Sequence, residues 1–144
     1  MTRRARAWLR GSSRGQAMAE FTLMVPMLLV IVFAAVEFGR AYSVWVTITN
    51  AAREGARYGV INPTDTSGIT TKVQNASSPY NDSNLTVSTP TCSPSPCSSG
   101  GSLSVTATYK LTLITPLNGL LTLMHSAGIG NNFTLSSTAV MRVE

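Results

Sequence analysis

The sequence predicts an α+β protein: one long N-terminal helix, transmembrane in its first half and amphipathic in its second, packed on a small three-stranded antiparallel sheet. Three observations carry this. Phe21 to Val36 is an apolar run without a charge. From Gly39 onward, Ala41, Val44, Ile48, Ala52, Gly55 and Gly59 recur at helical spacing with no turn signal before them. Leu103 to Leu113 then alternates apolar and polar residues, and Phe133, Leu135, Ala139, Met141 and Val143 repeat the alternation, which is the period of a half-buried strand.

The helix is expected from Gln16 to about Tyr58, with a length of about 65 Å at 1.5 Å per residue. Its apolar part alone spans about 24 Å, short of a hydrocarbon core of about 30 Å. Extension backwards takes in Glu20, a carboxylate that lipid penalises. Extension forwards meets Glu37 and Arg40 almost at once. Pro26 lies inside the run, where a membrane helix tolerates it better than a soluble one and usually kinks. In the second half, Ala51, Gly55 and Gly59 form a ladder of small residues suited to close packing. Glu37–Arg40 and Glu54–Arg57 are i,i+3 pairs of the kind that contribute a few tenths of a kcal/mol each on a helix surface.

Asn62 to Gly68 (NPTDTSG) reads as a turn-rich linker. A short helix is expected over Ile69 to Ala76 and a strand over Leu85 to Thr89. CSPSPCSSGGS reads as a loop between strands, and Leu117 to Met124 as a short apolar helix or hydrophobic loop. Three strands with one apolar face need a cover, and the small-residue face of residues 41–59 is the candidate. The segments are therefore a leader (1–15), the transmembrane half (16–38) and amphipathic half (39–60) of the helix, and a small α+β domain (61–144).

The formal charge of +5 suggests nucleic acid or membrane until it is located. Arg3, Arg4, Arg6, Arg10 and Arg14 all precede Gly15, and the remaining six basic residues are balanced by six acidic ones. No basic stripe is left on the body to follow phosphates, so a nucleic-acid partner is not expected. A cytoplasmic leader under the positive-inside rule fits instead, with the C-terminal domain extracytoplasmic. Cys92 and Cys97 are spaced to close a small disulfide in an oxidising compartment. Free thiols or half a metal site are the alternatives, although a metal site needs about four ligands and His125 is the sole histidine. No acid or nucleophile is placed to pair with His125, and no phosphate loop or HExxH pattern occurs. Neither an enzyme, a cofactor nor a metal is expected.

The segment RGQAMAEF, residues 14–21, resembles a type IV prepilin signal: a basic leader, a glycine, four residues, then Glu-Phe opening an apolar helix. The continuation, Glu37-Phe38-Gly39-Arg40 followed by TNAAREGARYG at residues 49–59, resembles the TadE-like pseudopilins of the tight-adherence (Flp) pilus system. The ending AVMRVE, residues 139–144, is similar to their usual close. The likeness does not extend to residues 62–102, and the chain is far longer than the short, nearly all-helical major pilins. The resemblance implies a minor pilin-like component, single-pass in the cytoplasmic (inner) membrane and available for incorporation in a surface pilus. It implies a prepilin peptidase cutting between Gly15 and Gln16, and other pilin-like subunits and the pilus assembly machinery as partners. It also implies that Glu20, fifth residue of the mature chain, meets the new N-terminal ammonium of a neighbouring subunit. The competing reading is an uncleaved single-pass anchor carrying an extracytoplasmic binding domain.

Overall fold

A computed structural model of the chain describes residues 13–124, 127 and 130–143. The element order is α1 (Ser13–Ile61), α2 (Thr66–Ala76), β1 (Leu85–Val87), β2 (Thr91–Ser93), β3 (Ser102–Thr112), α3 (Leu117–Leu123) and β4 (Asn132–Arg142). The chain divides into two units. One holds α1 up to Val36 together with the segment that begins at Thr115; the other runs from Glu37 to Ile114 and resumes at Gly130.

In the first unit the apolar run is helical throughout, Pro26 included. Proline removes an amide from the helical ladder, but the flanking Val, Met and Leu residues keep the segment helical. The side chains have little protein around them: Phe21, Leu23, Met24, Met27, Leu28 and Ile31 are all exposed. Mean hydropathy reaches 2.4 over an 18-residue window, and only 6% of that window is buried. A helix this apolar and this bare is long enough to cross a membrane. α3, seven residues, belongs to the same unit and buries Leu117.

The second unit is a helix-on-sheet domain. β3 is the central strand. β4 pairs with it antiparallel along its whole length, from Ser102↔Arg142 to Thr112↔Asn132. β1 and β2 lie one after the other along the opposite edge, at Leu85↔Tyr109 and Cys92↔Leu103. The sheet thus has four strands where the sequence predicts three. The difference is local: Pro90 cannot donate to a ladder, so the edge stops at Val87 and resumes at Thr91. The expected loop around Cys92 accordingly opens with strand residues. Cys92 and Cys97 are joined as a disulfide with Cα atoms 5.2 Å apart, and both pack against the core.

The alternation in β3 is obeyed strictly: Leu103, Val105, Ala107, Tyr109 and Leu111 are buried. On its other face, Thr106 pairs with Thr138 at 2.8 Å and Thr108 with Ser136 at 3.3 Å, a row of cross-strand hydroxyl contacts. β4 breaks its apolar alternation at Ser137, and Thr49 of α1 explains why: the two hydroxyls are hydrogen-bonded at 2.9 Å.

The buried face of α1 is Val44, Ile48, Ala51, Ala52, Gly55, Ala56 and Gly59. It lies against both the sheet and α2. A Cβ added at Gly55 would run into Val73, and one at Gly59 into Leu103 and Ile69. Small residues are therefore required here so that α2 and β3 side chains can reach the helix. α1 ends at Ile61 because Asn62 precedes Pro63, which disfavours further helical backbone. α2 begins at Thr66, earlier than its apolar spacing suggests, because Asp65 caps it. The Asp65 carboxylate accepts from the Gly68 amide at 2.9 Å, Ser67 Oγ at 2.8 Å and Tyr58 OH at 2.8 Å. Asp82 is held similarly by the Asn84 amide at 3.0 Å, Asn84 Nδ2 at 3.2 Å and Tyr109 OH at 3.1 Å.

Two predictions follow from this packing. Gly55→Ala is expected to destabilise the domain by about 1–2 kcal/mol, because Val73 is stiff and fully buried. Gly39→Ala, with open space around it, is expected to gain up to about 1 kcal/mol of helix propensity. Thermal unfolding of the full chain in detergent measures both, and equal effects at the two sites contradict the packing account. The second concerns acid. At Asp65 the Gly68 amide, then Ser67 and Tyr58, hold the carboxyl below its ordinary value. At Asp82 burial pushes upward, and the bonds from Asn84 and Tyr109 outweigh it. Both depressed groups stabilise the fold above the unfolded carboxyl pKa of about 3.9, and this is lost as pH falls through their folded values. The melting temperature is expected to drop on acidification below about pH 4, and less steeply in the Asp65→Asn, Asp82→Asn double variant.

Candidate functional site

Two groups of polar residues stand out along α1. The first is at its start. Gly15, Gln16 and Glu20 are all exposed. The Gly15–Gln16 bond lies in the first turn of the helix, where ends fray readily. Gln16 Nε2 donates to Glu20 Oε1 at 3.0 Å across one helical turn. One lobe of the carboxylate is thus met from within the chain, on an otherwise apolar segment. Arg14 falls in the helix. Arg3, Arg4, Arg6 and Arg10 lie outside the described residues, as does His125.

The second group is at the end of the apolar run, in the sheet-bearing unit, and its weight is not apparent from spacing. Glu37 and Arg40 read as an ordinary surface pair, yet Glu37 is only 6% exposed. Its Oε2 accepts from Arg40 Nη1 at 2.8 Å, and its Oε1 accepts from the backbone amide of Ile114 at 2.8 Å. Arg40 Nη1 also donates to the Thr112 carbonyl at 3.2 Å. One carboxylate and one guanidinium therefore bind the end of β3 and the residue two beyond it to α1. By contrast, Glu54–Arg57 is the exposed pair expected, with its atoms 3.9 Å apart. The signal that marks Glu37 in sequence is its place: an acid directly after sixteen uncharged residues is either exposed to water or satisfied by the fold.

Ala51, Gly55 and Gly59 sit on the buried face described above, facing α2 and β3 of the same chain. Among the described residues, no three His, Cys, Asp or Glu side chains gather as a metal site would require.

A bare apolar helix that continues into a helix-on-sheet domain defines a class: an α+β protein with one helix suited to single-pass membrane anchoring. The model of the TadE-like protein family matches residues 15–57. That match begins at Gly15, covers Glu20, Glu37 and Arg40, and leaves the sheet outside. It coincides with the TadE-like resemblance in residues 14–60. That family is one of structural, pilus-associated proteins, not of enzymes. No curated protein and no solved structure matches the chain.

The clamp yields a direct test. Glu37→Ala is expected to destabilise the domain by about 2–3 kcal/mol, below the roughly 3–5 kcal/mol of a fully buried broken pair because water reaches Arg40. Glu37→Gln keeps an acceptor for the Ile114 amide and is expected to lose about half as much. Urea unfolding of the detergent-solubilised chain measures both; a loss under about 0.5 kcal/mol for Glu37→Ala, the level of a surface pair, contradicts the clamp.

Proposed function

We propose that the chain is a minor pilin-like subunit of a tight-adherence pilus system, matured by a prepilin peptidase that cuts between Gly15 and Gln16. In this reading residues 1–15 are a basic cytoplasmic leader, residues 16–38 the membrane-spanning half of the helix, and residues 61–144 an extracytoplasmic domain. The observation that carries it is the order of residues in the family-matched segment: Gly15 opens it, and Glu20 stands exposed one turn beyond Gln16 on an apolar helix.

The chemistry supports a link between cleavage and assembly. Cutting removes five arginines and creates an ammonium at Gln16. A carboxylate near lipid is penalised when unpaired, and a neighbour's ammonium offsets part of that penalty. Pairing of this kind works in one register, so Glu20 selects a geometry as well as contributing attraction. Without cleavage the ammonium does not exist, so processing licenses assembly. The Gln16 amide holds Glu20 until then.

That same internal hydrogen bond favours a second reading, an uncleaved anchor whose Glu20 is satisfied by its own chain. N-terminal mapping of the protein from cells with and without the prepilin peptidase separates the two. A start at Gln16 that depends on the peptidase is expected; an intact leader in both strains supports the anchor. Glu20→Ala is expected to be cut normally yet to be lost from the assembled pilus fraction, and normal incorporation of that variant removes Glu20 from the mechanism.

A further inference from the structure

We propose that Phe38, Tyr42 and Trp45 form an aromatic belt that seats α1 at the lipid–water interface, so that the span is completed at its domain end and not by drawing Glu20 into lipid. The three residues are spaced four and three apart, which puts them on one face of a helix. All are exposed: Phe38 74%, Tyr42 58% and Trp45 47%. Three large aromatic residues left open on one stripe, on a domain that buries its other face thoroughly, call for a cover.

The residue order identifies the cover as a bilayer. The stripe follows directly on the apolar run, and its spacing continues that of Met24, Leu28, Ile31 and Ala35. Along it, purely apolar side chains give way to Phe38 and then to Tyr42 and Trp45, whose rings carry a polar tip. That succession matches the passage from hydrocarbon to headgroups, where Trp and Tyr are enriched. The obstacles to extending the span forwards were Glu37 and Arg40. The fold pairs them: the buried Glu37 carboxylate accepts from Arg40 and from the Ile114 amide, and Arg40 also donates to the Thr112 carbonyl. Phe21 to Phe38 then covers about 27 Å and Phe21 to Tyr42 about 33 Å, bracketing a hydrocarbon core of about 30 Å. Ile114, 67% exposed, is a further apolar side chain at the clamp.

The test uses the full chain with Trp8→Phe, which leaves Trp45 as the one tryptophan, reconstituted in phosphatidylcholine vesicles. Lipids brominated close to the headgroup are expected to quench Trp45 more than lipids brominated near the chain ends. A second variant, with Leu28→Trp and Trp45→Phe added, is expected to show the opposite order and reports on the span alone. Greater quenching of Trp45 by the deep bromine atoms overturns the belt. So does quenching by aqueous iodide without any by lipid, or shielding from both, which assigns the stripe to a protein neighbour. If the position-28 tryptophan responds to lipid while Trp45 does not, the span stands and the belt fails. Cleavage at Gly15 plays no part in either readout, so the outcome is separate from that of peptidase processing.

Discussion

The structure depends on a carboxylate that has to be satisfied away from water. Glu37 follows the apolar run, where a free charge would face the edge of a membrane and an unpaired buried one would be strongly destabilising. The chain meets this with donors of different kinds, among them a guanidinium one helical turn away and a backbone amide 77 residues away in sequence. The second donor matters more for architecture. It ties the chain just after β3 to α1, and β4 and the split edge are both paired to that strand.

From this clamp the helix has two tasks that its composition separates. Before Glu37 it is apolar and has little of the protein against it. After Glu37 it is asymmetric, with one face of small residues under the sheet and α2 and another presenting aromatic side chains outward. The small face is used within the chain, since Val73, Ile69 and Leu103 fill the space at Gly55 and Gly59. It is thereby occupied by this chain's own side chains. The surfaces left exposed on α1 include the apolar span, the aromatic stripe and Glu20, on which contact with lipid or other subunits is open.

Much of the fold is legible from local pattern. β3 follows its alternation residue by residue, and α1 follows its helical spacing, because both elements bury a face whose period is written in the chain. The misreadings share one cause: they depend on neighbours distant in sequence. The edge was expected as one strand over Leu85 to Thr89 followed by a loop, but it stops at Val87 and a second piece after Pro90 still finds β3. Ser137 interrupts an apolar pattern because its partner, Thr49, lies 88 residues away. Asp65 reads as part of a linker until Tyr58, Ser67 and Gly68 are seen to converge on it.

The sequence by itself determined the charge-free span, the five arginines gathered before Gly15, the lone acid at Glu20 and the two long strands. These are properties of composition and period, set by residues close together in the chain. Only the tertiary structure decided that Glu37 is buried, that the small ladder is filled from within, and that Phe38, Tyr42 and Trp45 are left exposed. Whether a charged side chain blocks a membrane span depends on what surrounds its carboxylate. For Glu37, one of those surrounding groups is the Ile114 amide, two residues beyond the end of β3, which only folding brings to it.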